Sequence, residues 1–389
     1  MRAVSVVGVG LTQWGKRRDV SLAELMVESA MKAFADTKSL TPQDVEALYI
    51  GNAQAERFQE QAHPANVTAE YLGMSPRVVA RVEMACSSGS VGVRNAFFAI
   101  ASGQVDSALV LGVEKMCNVS SAEAMRNLCL VEDLTWESFH GMIPPSGFAL
   151  IASRYMHEYG VTQEQLAKIA VKNHRNGAKN PIAQFRKEIT VEDVLNSPMV
   201  AHPLNLLDCS PISDGSAAVI LAPAKQARKY NDTPVDIIGS GQFMEPSCNC
   251  SNMESLTTWR ALVNAAKDAY SMAKLSPSDL DIVETHDCFT IAELIEYEDL
   301  GLCKKGEGPA LVDSGETEIG GRIPVNPSGG LKSKGHPVGA TGVAQIAEVS
   351  EQLRGECGPR QVDGATVGMT QNLSGFATHH VCHILRRQN

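Results

Sequence analysis

Two stretches of this chain repeat each other, which restricts it to folds built from two similar halves. Cys86-Ser87-Ser88-Gly89-Ser90-Val91-Gly92-Val93 superposes on His336-Pro337-Val338-Gly339-Ala340-Thr341-Gly342-Val343. The match sets Cys86 on His336, Gly89 on Gly339, Gly92 on Gly342 and Val93 on Val343. Ser39–Val45 likewise resembles Lys274–Leu280, with Thr41 or Ser276 before a proline, as a short capped helix requires. Gln104-Val105-Asp106-Ser107-Ala108 returns as Gln361-Val362-Asp363-Gly364-Ala365. The spacing drifts along the chain, so the second half carries small insertions.

Each half reads as alternating strands and amphipathic helices, an α/β pattern with mainly parallel strands buried on both faces. The expected strands are 3–9, 47–51, 107–113 and 216–222, then 235–241, 281–286, 365–371 and 376–384; Val78–Val82 is a weaker strand signal. The halves divide as 1–230 and 231–389. Residues 116–212 have no counterpart in the second half and form an excursion with helices at 147–159 and 162–176. Gly177 is expected as the C′ residue of the latter. Long excursions from a rigid scaffold commonly carry ligand contacts.

Composition narrows the function classes. The net charge is −10 and no Lys/Arg cluster is dense enough for nucleic acid. No run reaches the roughly 18 apolar residues of a membrane span. The start, Met1-Arg2-Ala3-Val4-Ser5-Val6, reads as a buried strand rather than a signal peptide. Ten scattered cysteines point to reduced thiols and a cytoplasmic setting. Gly8-Val9-Gly10 lacks the third glycine of a dinucleotide fingerprint, and the next glycine is Gly15.

The duplicated segments carry the chemistry. A thiol at the start of a helix faces unpaired N–H groups and the positive end of the dipole, which favours the thiolate of Cys86. The same position disfavours an imidazolium, so His336 is expected neutral and able to take a proton. Thr285-His286-Asp287-Cys288-Phe289 follows a strand; in extended conformation His286 and Cys288 share one face. Asp287 equally reads as a polar residue at the strand end. Cys248-Asn249-Cys250 and the His379, His380, Cys382, His383 group have metal-ligand chemistry, but strand alternation accounts for the second group and no metal is expected.

Met84-Ala85-Cys86-Ser87-Ser88-Gly89, His286-Asp287-Cys288-Phe289 and Gly335-His336-Pro337-Val338-Gly339-Ala340-Thr341-Gly342 together resemble the thiolase superfamily over essentially the whole chain. The resemblance implies the thiolase fold: two βαβαβ halves in a five-layered αβαβα sandwich with an inserted loop domain. It also implies a homodimeric core. Many thiolases carry a second catalytic cysteine in a C-terminal Cys-x-Gly motif; here that region reads Gly368-Met369-Thr370-Gln371-Asn372-Leu373-Ser374-Gly375. The H-D-C-F block instead looks like that of sterol-carrier-protein-type and archaeal-type thiolases.

By that resemblance Cys86 is the nucleophile, His336 its base and Cys288 the acid/base. His286 would bind an enolate oxygen, and the N–H groups of Cys86 and Gly375 an acyl oxyanion. Coenzyme A enters as co-substrate, and no tightly bound cofactor is expected. The expected substrate is acetoacetyl-CoA or a bulkier 3-oxoacyl-CoA, aromatic ones included. His140, Met142, Ile143 and Phe148 are candidates to line its acyl pocket. Arg175, Lys179, Arg186 and Lys187 are the modest candidates for CoA phosphates, so a small zinc-ribbon/OB-fold partner is expected to help bind CoA. No lipid-transfer domain is expected after Asn389. The competing readings are a ketoacyl-synthase-type condensing enzyme, which needs no second thiol, and a thiolase-like subunit of an acyl-transfer complex.

Overall fold

Eight consecutive residues from Val4 to Leu11 (β1) are buried, a pattern that suits a strand covered on both faces. The computed structural model describes residues 1–246 and 249–388. Its further strands are Ala47–Gly51 (β2), Val78–Val82 (β3), Ala108–Lys115 (β4), Met199–Ala201 (β5), Leu204–Asn205 (β6), Asp214–Pro223 (β7), Val235–Met244 (β8), Ile282–Glu284 (β9), Val367–Ser374 (β10) and His379–Arg387 (β11). β5 and β6 form a separate ribbon, and the other nine run in the order β3-β2-β4-β7-β1-β8-β11-β10-β9.

The duplication is visible in that order, because β2-β4-β7-β1 is mirrored by β9-β10-β11-β8. The two half-sheets meet through a short ladder between Val4–Val6 and Val235–Ile237. The helices Ser88–Ala101 and Thr341–Arg354 lie between the half-sheets and touch both. Leu22–Ala35 covers the outside of the first half and Arg260–Ala273 the outside of the second, completing five layers. The central helices approach closely at their starts. A Cβ on Gly89 would stand 2.7 Å from the Gly339 carbonyl oxygen, and one on Gly339 would stand 2.5 Å from that of Val113. Glycine is required at both positions.

Strand direction departs from the sequence expectation. Only β2–β3, β2–β4 and β9–β10 are parallel among the described residues, whereas β4–β7, β7–β1, β1–β8, β8–β11 and β11–β10 are antiparallel. Continuous apolar runs report burial on both faces, and here helices supply that burial on strands of either direction. The short β10–β11 connection permits only an antiparallel pair. It also moves the last two strands later than expected, to 367–374 and 379–387. The strand before His286 stops at Glu284.

In the excursion, helices span Pro144–Tyr159 and Gln163–Ala178. Gly177 is not the C′ residue: it lies inside the second helix, whose cap is Lys179. Its missing side chain admits Ser333, whose Oγ would lie 2.0 Å from a Cβ there. This contact packs the excursion against the segment that leads to His336.

Candidate active site

The chain leaves β3, passes through Ala85 at φ +43° and reaches Cys86 in a single 3-10 turn before the Ser88 helix. A left-handed alanine is uncommon, and surrounding hydrogen bonds hold it there. Ala85 N–H donates to Glu83 Oε1 at 2.7 Å, and Met84 N–H donates to Ser88 Oγ at 2.8 Å. The helix start alone would lower the Cys86 pKa, but this turn is buried. Burial, then Glu132 and Glu114, push the Cys86 thiol up to about 12, against a smaller opposing backbone hydrogen bond. Cys86 rests as a thiol and needs a base.

His336 stands between the helices Gly330–Lys334 and Thr341–Arg354, so it precedes its helix by five residues rather than opening it. Its N–H donates to Ser213 Oγ at 2.9 Å. The Thr341 hydroxyl donates to the Pro337 carbonyl at 3.2 Å and therefore accepts from His336 Nδ1, 2.7 Å away. That tautomer leaves Nε2 with a free lone pair. Burial lowers the His336 pKa to about 3, so the ring is neutral as expected, although burial and not the helix dipole is the cause.

His286 and Cys288 do not continue an extended strand. Cys288 N–H donates back to the His286 carbonyl at 2.8 Å, a tight turn centred on Asp287. Asn372 Nδ2 donates to His286 Nδ1 at 2.6 Å, which puts the ring hydrogen on Nε2, a buried atom with no partner. The rings of His286 and His336 stand 4.8 Å apart and nearly perpendicular, at 85°. One nitrogen of each ring and the Cys86 sulfur all lie within 4.8 Å of one another. A sulfur and two imidazoles would also suit zinc. The hydrogen bonding argues for proton chemistry, because His286 presents an N–H and not a lone pair.

Cys288 is buried; burial, then Glu296 and Cys86, raise its thiol well above the ordinary value, and Lys332 opposes. Asp287 is an anchor. Its carboxylate accepts from the N–H groups of Leu331 (2.6 Å) and Lys332 (3.2 Å) and from Asn173 Nδ2 (2.7 Å), tying this turn to the helix before His336. Gly375 lies in the β10–β11 turn at φ +60°. It lines a cavity of about 770 Å³ with Met84, Ala85, Glu132, Ser374 and His379.

Four positioning residues escaped the sequence reading: Asn372, Thr341, Ser213 and Glu114. Glu114 accepts from Asn52 Nδ2 and the N–H groups of Ala53, Gln54 and Gly339, so it joins both halves beneath the site. The available signal was the polar run Thr370-Gln371-Asn372 inside a buried strand. The proposed pocket residues separate. His140 and Met142 line a different hollow with Trp136 and His202, Ile143 precedes the Pro144 helix, and Phe148 is core, stacked on Phe289 at 4.6 Å. Leu130, Val131 and Leu134 line the Cys86-side cavity instead. Arg175 is paired with Glu318 at 2.6 Å, while Lys179, Arg186 and Lys187 are exposed.

His379, His380 and His383 bond to different partners (Ser87 and Gln242, Gln371 and Ala377, and Ser90), as a strand explains. Cys248 of the Cys248-Asn249-Cys250 group lies outside the described residues.

A duplicated, layered fold with a cysteine–histidine centre defines the class of thiolase-type enzymes. Human mitochondrial 3-ketoacyl-CoA thiolase shares the fold, with a TM-score of 0.75 at 19% identity over 100% of this chain and 99% of its own. The Ltp2-ChsH2(DUF35) aldolase matches at a TM-score of 0.87 and 27% identity, over 99% and 97% of the two chains. The family models for the thiolase N-terminal domain and the thiolase C-terminal domain-like region match residues 4–225 and 244–387. The chain is 47% identical to an acetyl-CoA acetyltransferase of Methanothermobacter thermautotrophicus over 100% of both. It is 36% identical to the benzoylsuccinyl-CoA thiolase subunit BbsB of Thauera aromatica, over 96% of this chain and 95% of the relative. The chain belongs to the thiolase family and is an acyltransferase.

Proposed function

We propose that this chain is a thiolase that cleaves a 3-oxoacyl-CoA with coenzyme A, or runs the reverse Claisen condensation, through an acyl thioester on Cys86. The observation that carries this reading is the convergence of the Cys86 sulfur with one nitrogen each of His286 and His336. His336 Nε2 takes the Cys86 proton. Thiol and imidazole are both neutral at rest, so the transfer creates thiolate and imidazolium together, each the other's counter-charge. The thiolate attacks the 3-oxo carbon, and the N–H groups of Cys86 and Gly375 hold the resulting oxyanion. Breaking the C2–C3 bond leaves the enolate of acetyl-CoA, whose oxygen binds His286 Nε2–H. Cys288 supplies its proton, and in condensation removes it. Coenzyme A then takes the acyl group from Cys86: its thiol proton passes to the Cys288 thiolate, its sulfur bonds the acyl carbon as the bond to Cys86 Sγ breaks, and the released Cys86 thiolate recovers the proton held on His336.

The substrate we favour is acetoacetyl-CoA, in line with the 47%-identical relative; a bulkier, aromatic 3-oxoacyl-CoA follows the benzoylsuccinyl-CoA relative. A homodimeric core and a small CoA-binding partner belong to the same reading. The partner is supported by the exposed, sparse basic residues of the excursion and by a neighbour whose description includes DUF35. A cytoplasmic setting is supported by the free thiols of all nine described cysteines. Among the described residues no helix is long and apolar enough to cross a membrane.

The test is turnover of a 3-oxoacyl-CoA panel with and without a zinc-ribbon/OB-fold partner, together with mass spectrometry of Cys86. An acyl adduct on Cys86 that coenzyme A discharges is expected. Turnover that survives Cys86→Ala would overturn the reading, and full turnover by the chain alone would remove the partner from it.

A further inference from the structure

The cavity beside the Cys86 turn contains a group that the reaction leaves unused. Leu130, Val131 and Leu134 give it an apolar wall, and Glu132 stands among them. Glu132 is only 7% exposed. No hydrogen-bond donor among the described residues meets its carboxyl group. Its oxygens lie 3.6 and 4.0 Å from where a Cβ on Gly375 would stand, so the glycine leaves the carboxyl facing open cavity. Met84 and Ala85, the two residues before Cys86, line the same cavity, so Glu132 faces the turn that carries the nucleophile.

A buried carboxyl without a partner is costly, and what fills the cavity decides whether that cost is met. Burial, then Glu137, raise its pKa to about 8, so near neutrality it is an uncharged acid that both donates and accepts. A hydrocarbon chain leaves it unpaired. The charges around the cavity are mixed, because Glu56, Arg57, Arg81 and Glu83 line it as well and Glu137 lies close by, so it is the missing hydrogen bond rather than net charge that discriminates.

We infer that Glu132 is a specificity-determining residue that, among acyl groups longer than the acetyl of acetoacetyl-CoA, favours those that carry a hydroxyl or carbonyl oxygen beyond the thioester carbon. The inference rests on the proposed acyl transfer to Cys86. In that step the acyl carbon's bond to the CoA sulfur breaks, its bond to Cys86 Sγ forms, and the thiol proton passes through His336 to the departing CoA thiolate. A site built around a hydrogen bond discriminates strongly against analogues that lack the partner.

The experiment compares Cys86 acylation rates, read by mass spectrometry, for butyryl-CoA and 3-hydroxybutyryl-CoA. The proteins are the unmodified chain and its Glu132→Gln, Glu132→Leu and Glu132→Ala variants, each checked by thermal melting. The unmodified chain should favour the hydroxybutyryl over the butyryl group by about tenfold or more. Glu132→Gln should keep most of that ratio and Glu132→Leu should bring it close to one. An unchanged ratio in Glu132→Leu, or no preference in the unmodified chain, would overturn the role of Glu132. If Glu132→Leu fails to fold, Glu132→Ala takes its place: a ratio close to one decides in favour and an unchanged ratio against. Failure of every thioester to acylate the unmodified chain would instead defeat the thiolase reading, and the inference with it.

Discussion

Asn372 is the residue whose replacement tests the proton arrangement most directly. Its side-chain N–H fixes His286 with the hydrogen on Nε2, pointing into the site without a partner. In Asn372→Ala the ring loses one hydrogen bond, worth about 0.5–1.5 kcal/mol, and with it the preference for one tautomer. A loss of about tenfold in enolate formation follows. In Asn372→Asp the new carboxylate accepts from Nδ1–H instead and strips Nε2 of its hydrogen while the ring stays neutral. The oxyanion donor is then gone, and losing such a donor costs roughly 10²–10³-fold.

The assay is deuterium exchange into the methyl group of acetyl-CoA, followed by NMR, with Cys86 acylation measured in parallel as a step that does not use the His286 donor. We expect the order wild type, then Ala, then Asp for exchange at pH 8. The Asp variant should recover relative to wild type as the pH falls, because protonating the ring restores Nε2–H. An Asp variant that exchanges as fast as the Ala variant, or one whose ratio to wild type ignores pH, would refute the tautomer assignment.

Cys288→Ala should abolish α-proton exchange while Cys86 still accepts an acyl group; retained exchange would remove Cys288 from the acid/base role. His336→Ala should slow Cys86 acylation by about 10²–10⁴-fold, the usual contribution of a general base, and a smaller effect on single-turnover acylation would point to a different base. Phe148→Ala should cost roughly 3–5 kcal/mol in urea unfolding, since the ring is buried against Phe289 and Phe376. Glu132 should make stability pH-dependent. The unfolded chain ionises it near an ordinary carboxyl pKa of 4.5, the folded chain at about 8, so its contribution is complete below pH 4.5 and is lost as the pH rises through that window. The unfolding midpoint of Glu132→Gln should therefore fall less than that of wild type between pH 5 and 8.

Much of the architecture was legible because duplication and hydrophobic period are local. The matched segments at Cys86 and His336 announced two halves, and β1, β2, β4 and β7 appeared near where their apolar runs lie. Strand direction was not legible, since burial on both faces reads the same for either direction. The later strands slipped because the Gly375 turn gives no apolar signal of its own.

The sequence by itself determined which reactive groups exist and that two of them stand at equivalent places in a duplicated fold: Cys86, His336, and the His286–Cys288 pair. Only the tertiary structure decided their protonation. The helix start argued for a lowered thiol pKa at Cys86, yet burial, then Glu132 and Glu114, outweigh a few unpaired N–H groups and raise it. His336 is neutral because it is buried, and the tautomers of the two rings are set by Thr341 and Asn372. Those partners reach the site through folding: Asn372 comes from a strand 86 residues after His286, and Glu114 bonds to Gly339 225 residues away. Charge state depends on what surrounds a group in three dimensions, and the order of residues alone does not carry that information.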